Sequence, residues 1–581
     1  MPVQLAEGEP EQDDDKPTTV VSAKPSLKNF NALRPAFIVS FLSIVLIGIF
    51  VGLNTTILTT SIPHLTEQLS SWIITAYLLA TLISIPVTGH LSEMMGRKNL
   101  MMLSIFVFTL GSLLCSTSWN LRSLIAFRTI QGLGSGPIHS LSAVSRYLII
   151  IHDLLPLHVI GRFVGIMAII PGIAVIGGPA FGGLVAEKGN WRVVFYIDIA
   201  VGILSLSLIY FFLKYEEERE KVALEMEEAA VQQVRKVIQG GKKQTEKVQT
   251  EKGEERVPTD RIETNERRSK RRIASRIDYL GITLVMISIV LCLVSSSLAS
   301  DSTLEWSHPA VISMFTIGAI SFLLFLIVET KVSEEPAVPV LLLVKKPLLL
   351  LILLARFFEF FILVAVVSFL PHWYSLVIGD SPALSGARLL PIMFSFILAS
   401  IFSGLLLSSY RMAWPFPVLG LAITSVGVGL MTMIAEDRPY GLIAFYLALL
   451  GVGLGATHQA LTVLLVTPVD RDHHPNLLSA QQFMQNAGSV IGVQCFQVAL
   501  RIAVGDTVEG DINKMDRESA MEMNPTDRDH LFQVYSFGMR ILFFILVPVA
   551  LVSFLMVLPL FRISVVEKRN RAQQSALPVS E

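Results

Sequence analysis

The candidates for chemistry are three ionisable side chains in long apolar stretches of the sequence, where a charge is expensive to hold. Arg128 stands near the beginning of one stretch, and Arg356 and Glu359 stand deep within another. An ionised side chain at the centre of a membrane costs at least about 2.5–3.5 kcal/mol, so these groups should face a bundle interior or water. Arg356 and Glu359 share one helix face, where Glu359 could exchange a proton beside the guanidinium group. The alternatives are a static buried pair and, for Arg128, an arginine that extends to the membrane surface.

A short connection between two apolar stretches has a spacing of glycine, acid and base that could form a gate. It reads Gly89-His-Leu-Ser-Glu-Met-Met-Gly-Arg-Lys98. Its glycines permit a tight turn, and Glu93 beside Arg97 and Lys98 could form charge-assisted hydrogen bonds that break and re-form as helices move. The alternative is that Arg97 and Lys98 only anchor the cytoplasmic face of a membrane.

Membrane-spanning helices are the elements that would hold these residues. Of the 581 residues, 52% are hydrophobic and 16% are charged, and the mean hydropathy is +0.60. Soluble domains carry about 25% charged residues, which argues against a soluble enzyme, and the net charge of −1 gives no field for nucleic acid. A spanning helix needs about 20 mostly apolar residues. The sequence predicts fourteen such helices, at about 36–54, 71–91, 99–117, 122–146, 160–185, 193–213, 278–298, 308–328, 347–371, 385–407, 413–434, 440–467, 478–502 and 538–561. The spans 122–146 and 478–502 are the least apolar of them.

The distribution of basic residues predicts the orientation. The segment 214–276 holds 17 Lys and Arg residues, whereas the connections 55–70, 118–121, 299–307 and 373–384 hold none. The positive-inside rule therefore places this segment and both termini in the cytoplasm. The predicted organisation is a tail (1–34), a six-helix bundle (35–213), a charged loop (214–276), an inserted helix pair with a linker (277–346), a second six-helix bundle (347–562) and a tail (563–581).

Two glycine-rich motifs accompany this arrangement. The first reads Leu124-Ile-Ala-Phe-Arg-Thr-Ile-Gln-Gly-Leu-Gly-Ser-Gly136 and contains Arg128 and Gln131. It lacks the strand that a dinucleotide-binding loop must follow, so close helix packing is the better interpretation. The second reads Gly178-Pro-Ala-Phe-Gly-Gly183, in which Pro179 should kink the fifth helix.

With these three motifs in order, the chain resembles the major facilitator superfamily. Its fourteen helices and Asp278-Tyr-Leu-Gly281 are similar to the drug:proton antiporter branch, fungal-type members above all, over about residues 36–561. The resemblance implies that Arg128 takes part in proton coupling. It also implies that four residues of the second glycine-rich motif line the contact between bundles and limit leakage, namely Gly178, Pro179, Gly182 and Gly183.

Position 54 departs from the family pattern. Members usually carry an acidic residue late in the first helix, and this chain has Asn54, which cannot titrate. The departure puts proton carriage at this position in doubt and raises interest in Glu359. The second glycine-rich motif, which the resemblance identifies as the antiporter motif of the family, also lacks its usual leading glycine, which is Ala174 here.

Several uncharged polar residues could line a substrate cavity. On helix thirteen Gln482 and Asn486 lie four positions apart on one helix face, and interhelical hydrogen bonding is the alternative role. His458 is interpreted as a packing residue. The other candidates for the lining are Asn54, Trp72, Tyr77 and Gln131.

The sequence therefore predicts an all-α polytopic transporter of the major-facilitator type that exports small organic molecules by alternating access and proton antiport. Its partners would be a small-molecule substrate, protons and the lipid bilayer, without a cofactor. The alternative is a uniporter or importer of a defined nutrient, such as a basic amino acid or siderophore, in a vacuolar membrane rather than the favoured plasma membrane. Asn54 favours that alternative, and Gly178-Pro179 opposes it. A non-transporting sensor lacks a sizeable signalling domain, and no nucleophile–base set or phosphate-binding loop supports an enzyme.

Overall fold

The structure is a computed structural model. It describes residues 42–58, 70–152, 172–187, 190–212, 279–300, 304–331, 345–410, 413–434, 439–469, 474–504 and 524–560, with a few isolated positions besides. The predicted tails 1–34 and 563–581 and the predicted loop 214–276 lie outside these residues, and the domain boundaries stay predictions.

Helices make up the regular structure of the described residues, and no strand occurs among them. Each of the fourteen predicted spans contains a helix, so the all-α prediction is confirmed. Directly before the fifth helix lies a π-helical turn (Gly172–Ile176), and the tenth is preceded by a short helix (Pro382–Ala387). The helices are α1 Leu42–Leu53, α2 Ser70–Met95, α3 Arg97–Ser116, α4 Leu121–His152, α5 Gly177–Glu187, α6 Val193–Phe212, α7 Tyr279–Ser300, α8 Pro309–Lys331, α9 Pro347–Trp373, α10 Leu390–Tyr410, α11 Pro415–Met431, α12 Tyr440–Val466, α13 His474–Val504 and α14 Pro525–Val557.

Length and hydropathy divide these helices into three sets. Nine in the described part of the chain are long and apolar enough to cross a membrane. Helices α1, α5 and α11 are apolar but shorter as described, and α4 and α13 are the polar exceptions that the sequence predicts. Helix α14 begins at Pro525 instead of 538, because proline at the first helical position starts a helix whose opening turns are polar.

The helix pairings in the first group of helices (α1–α6) recur in the second group (α9–α14), where α11 also packs on α14 as α3 packs on α6. Helices α2 and α3 pack on α4, and α6 packs on α3; later in the chain α9 packs on α13 and α14, while α10 and α11 pack on α12. The most buried helix is α9, which forms the centre of the largest hydrophobic core. Helix α7 contacts α8, α2 and α13, so the inserted pair rests against both groups of helices.

Candidate functional site

The first buried polar cluster centres on Asp198, the sixth residue of α6, whose side chain is enclosed by α1 and α4. Asp198 is 1% exposed. The Asn54 amide nitrogen donates to both of its carboxylate oxygens, at 3.0 and 2.9 Å, and Gln131 Nε2 donates to Oδ2 at 3.2 Å. Three donor contacts to two oxygens stabilise a buried carboxylate, because a charged acceptor forms the stronger hydrogen bonds.

Arg128 lies on the other side of Asn54 and is fully buried. Its Nη1 donates to Asn54 Oδ1 at 3.0 Å and to Gln131 Oε1 at 2.7 Å, and its Nη2 donates to the Asn54 carbonyl oxygen at 3.0 Å. The guanidinium carbon lies 4.4 Å from the centroid of the Tyr77 ring, and the Tyr77 hydroxyl donates to the Val51 carbonyl oxygen at 2.8 Å. Asn54 thus bridges a buried cation and a buried anion.

Sequence reasoning missed Asp198, although the rule that singled out Arg128 also applies to it. An ionisable residue in a spanning segment is a functional candidate by default, and Asp198 stands within the predicted span 193–213. Three residues predicted to line a substrate cavity, Asn54, Tyr77 and Gln131, contact Arg128 or Asp198 instead of standing apart from the charged residues.

The second buried cluster lies between α9 and α12. Glu359 and Arg356 are both fully buried, with Oε2 of the carboxylate 2.8 Å from Nη1 of the guanidinium group. The other carboxylate oxygen lies 2.9 Å from His458 Nδ1. Arg356 Nη2 donates to the His458 carbonyl oxygen at 2.6 Å and to Thr462 Oγ1 at 2.7 Å. In the orientation that satisfies its carboxamide, Gln481 accepts from Arg356 Nη2 and Nε at 2.7 and 3.0 Å.

His458 has a place in this cluster that differs from the packing role inferred from the sequence. Its Nδ1 lies 2.5 Å from Arg356 Nη1 as well as 2.9 Å from Glu359 Oε1. One ring nitrogen accepts a hydrogen bond when unprotonated and donates when protonated. Nδ1 therefore accepts from the guanidinium group when it carries no proton and donates to the carboxylate when it does. The rings of Phe360 and Phe396 lie 5.7 and 5.5 Å away.

The proline of the antiporter motif is tied to the end of α1. Proline has no backbone N–H, so Pro179 leaves the carbonyl of Val175, four residues earlier, without its helical donor. The Thr56 hydroxyl donates to that carbonyl oxygen at 2.6 Å. A Cβ added at Gly178 would lie 3.0 Å from the backbone nitrogen of Ile57, so α5 and the chain after α1 approach as closely as glycine allows.

A glycine seam joins the two groups of helices through α5 and the short helix Pro382–Ala387. A Cβ at Gly183 would lie 2.7 Å from the carbonyl carbon of Pro382, and a Cβ at Gly386 would lie 2.7 Å from Ala180 Cα. At the opposite end of the bundle, Ser140 Oγ of α4 is 3.1 Å from Ser479 Oγ of α13. The two groups of helices therefore contact each other at both ends.

The other predicted site residues occupy less connected positions. Gly96 has a φ of +80°, so the turn between α2 and α3 requires glycine, and Arg97 begins α3. The side chain of Glu93 lies outside the described residues, which leaves its predicted bond to the cationic pair a prediction. Among the remaining predicted residues, Lys98 and Trp72 are half-buried, and Gly182 is buried within α5. On α13, Gln482 Nε2 donates to the His139 carbonyl oxygen at 3.3 Å, and Asn486 Nδ2 donates to the Gln482 carbonyl oxygen at 2.8 Å.

The sequence model of the Major Facilitator Superfamily matches residues 37–493. The chain belongs to this superfamily. It is therefore an integral, multi-pass membrane transporter and not an enzyme, and the family that its motifs resemble is confirmed. Among the described residues, no group of three or more His, Cys, Asp or Glu side chains could hold a metal ion.

Three known proteins illustrate its relationships. "Multidrug transporter protein MdtP" of Bacillus subtilis is 24% identical over 462 residues, covering 79% of this chain and 74% of that protein. "Efflux pump dotC" of Dothistroma septosporum is 25% identical over 472 residues, covering 80% of this chain and 72% of that protein. The chain also aligns with the crystal structure of a D-xylose-proton symporter, with 13% sequence identity and a TM-score of 0.48. The alignment covers 89% of this chain and 97% of the symporter chain.

Proposed function

We propose that this transporter exports small organic molecules in exchange for protons. The observation that carries the proposal is the second buried cluster, in which a carboxylate contacts a permanent cation and a titratable ring. Glu359 contacts both Arg356 and His458 away from water. Facilitated diffusion of a solute needs no such group, whereas coupling to a proton gradient needs a side chain that takes up and releases protons.

The cluster provides a switch between α9 and α12. Arg356 keeps its charge throughout, whereas His458 and Glu359 can each bind a proton. With the ring unprotonated at Nδ1, Arg356 can donate to it; with Nδ1 protonated, the ring donates to Glu359. Proton uptake thus changes which side chains link the two helices. Helix α9 also shares its hydrophobic core with Val175 and Ile176 of the turn before α5, which gives the change a route to the seam.

The named relatives support the direction of transport and the kind of cargo. One is called an efflux pump and another a multidrug transporter. The antiporter motif of α5, with Gly183 packed against Pro382, supports exchange over uniport, because the family resemblance assigns to this motif a contact between the bundles that limits leakage. We propose that Gln482, Asn486 and Trp72 line the substrate path, that both termini are cytoplasmic and that the protein acts at the plasma membrane. The alternative of a nutrient uniporter or importer predicts transport that a pH gradient does not drive.

Replacement of Glu359 by glutamine is expected to abolish the response to the gradient while the protein remains folded, because glutamine keeps the shape and loses the proton. The measurement is efflux of a panel of amphipathic organic compounds, including the planar cation ethidium, from inside-loaded proteoliposomes with and without an imposed pH gradient. Wild-type protein should export at least one compound faster with the gradient.

The matched control is Glu329→Gln, which removes a carboxylate that is 2% exposed on α8, away from both clusters. This variant should behave as wild type. Efflux by wild type that ignores the gradient would favour the uniporter alternative, and gradient-driven efflux by Glu359→Gln would remove the second cluster from coupling.

The seam makes a separate prediction. Replacement of Gly386 by alanine is expected to destabilise closure at that end by about 1–3 kcal/mol, because the added Cβ meets backbone atoms of α5 that cannot move aside cheaply. The measurement is the reactivity of an engineered cysteine, Ala180→Cys, toward a membrane-impermeant thiol reagent, which should rise. In the control, Gly429→Ala, the added Cβ meets no atom within 4 Å and reactivity should stay unchanged. Equal reactivity in both variants would contradict a role of the seam in closure.

A further inference from the structure

Position 54 lacks the acid that the family pattern expects, yet a carboxylate from another helix lies one hydrogen bond away from it. The Asn54 amide nitrogen donates to both oxygens of Asp198 on α6, while its amide oxygen accepts from Arg128 on α4. The three side chains form a continuous line of cation, amide and anion, enclosed by protein. A carboxyl group on α6 is therefore one side chain away from Arg128, the arginine to which the family resemblance assigns a part in proton coupling.

We propose that Asp198 is a second proton-carrying residue of this transporter, acting in the first group of helices as Glu359 acts in the second. The inference rests on the proposed proton coupling. Its chemistry is a simple proton transfer: the Asp198 carboxylate takes a proton from water and later returns it to water on the other side, with no other bond made or broken.

Protonation of Asp198 has a direct structural consequence. The ionised carboxylate accepts hydrogen bonds on both oxygens, whereas the protonated form has an O–H donor on one of them. That oxygen can no longer serve the Asn54 amide as well, and Arg128 is left as a buried charge without its counter-ion. An uncompensated buried charge is strongly destabilising. The protonated state therefore favours a conformation in which Arg128 reaches water or a new partner.

The contacts around Asn54 connect this event to the seam. Two residues later, Thr56 donates to the Val175 carbonyl that Pro179 leaves without a helical partner, and Gly178 packs on the same stretch of chain. Gly183, on the same helix, packs against Pro382 of the other group of helices. A movement of the chain after α1 is therefore transmitted through α5 to the contact between the two bundles.

The charged and titratable groups that face Asp198 come from each neighbouring helix. Arg128 of α4 is the cation, and Tyr77 of α2 and Cys115 of α3 are the other titratable groups within electrostatic range. Tyr77 is held by the Val51 carbonyl oxygen, and Cys115 is buried. Both are ordinarily neutral near physiological pH. Asp198 is thus the member of this set that carries a negative charge and can take up a proton.

A substrate-free measurement tests the inference directly. Infrared difference spectra of the full-length protein in lipid, recorded on changing from mildly alkaline to mildly acidic buffer, report the C=O stretch of carboxyl groups that become protonated. Wild type should show a buried-carboxyl band that Asp198→Asn loses and Glu359→Gln retains. The control Asp529→Asn removes an aspartate whose side chain is 65% exposed on α14 and should leave the band in place. A band that is unchanged in Asp198→Asn overturns the inference.

An exchange of the two side chains tests coupling. The double variant Asn54→Asp with Asp198→Asn moves the carboxyl across an existing hydrogen bond and keeps one acid beside Arg128. Ethidium efflux should lose its response to the pH gradient in Asp198→Asn and regain it in the double variant, which also controls for misfolding of the single one. An intact response in Asp198→Asn overturns the inference. If wild type itself ignores the gradient, the proposed antiport fails, while the infrared band still decides whether Asp198 binds a proton.

Discussion

Replacement of Arg356 by methionine is expected to lower the free energy of unfolding by about 3–5 kcal/mol, because it leaves a buried carboxylate without its cation. Arg356 has polar contacts with Glu359, with the His458 ring and carbonyl oxygen, and with Thr462. Methionine fills much of the volume and provides none of these donors. The measurement is the thermal unfolding midpoint of the purified protein, which should fall sharply.

The double variant Arg356→Met with Glu359→Leu distinguishes a static pair from a coupling site. Removal of both charges replaces a buried ion pair by apolar groups, a change that is often neutral or stabilising. Most of the lost stability should therefore return. Export driven by a pH gradient should stay absent, because the second cluster then has no carboxyl to exchange a proton. A stable double variant that still responds to the gradient would show that the pair only fixes the register between α9 and its neighbours.

The membrane-spanning helices can be predicted from the sequence because the requirement that each must meet is local to its own residues. A spanning helix must hydrogen-bond its own backbone N–H and C=O groups, and it needs about 20 apolar residues to cross the hydrocarbon core of the membrane. Hydropathy alone therefore locates the spans. The ends of helices are less constrained, as α14 illustrates. Its polar first turns carry no hydropathy signal, and only Pro525 at the first helical position indicates where it begins.

The site follows only in part, since contacts between helices depend on which faces meet. Spacing along α9 predicts that Arg356 and Glu359 are neighbours. No spacing predicts that His458, 99 positions after Glu359, reaches the same carboxylate. That contact depends on α12 packing against α10, where Gly451 and Gly455 approach the carbonyl oxygens of Ile392 and Phe396.

Asp198 is an instructive omission. The departure at Asn54 directs attention to Glu359, in the other group of helices, while the acid lies one hydrogen bond away from Asn54. A search for every ionisable residue within the predicted spans would have found Asp198, because α6 is otherwise almost wholly apolar. Its pairing with Asn54 could not have been found from one sequence.

Replacement of Arg128 by lysine is expected to lower the free energy of unfolding by at least about 1.5–3 kcal/mol, the net value of one charged hydrogen bond. The guanidinium fork donates to Asn54 Oδ1, to Gln131 Oε1 and to the Asn54 carbonyl oxygen, and its face lies against the Tyr77 ring. A lysine ammonium is a point charge and cannot reproduce this planar arrangement. Its charge persists, so the variant isolates geometry from charge.

The same substitution decides between the two interpretations of Arg128. An arginine that extends to the membrane surface would tolerate lysine, because both side chains place a charge in the interfacial region. A buried arginine that holds Asn54 toward Asp198 would not tolerate lysine, and gradient-driven export should fall together with the unfolding midpoint.

The matched control is Arg192→Lys, at the half-buried residue just before α6, where the guanidinium group lies over the Trp191 ring and donates to the Ser118 carbonyl oxygen. The control should lose about 1 kcal/mol or less and keep its export, because lysine can retain both a cation–π contact and a hydrogen bond there. Equal behaviour of the two variants would place Arg128 at the surface and remove the bridge through Asn54 from the coupling route.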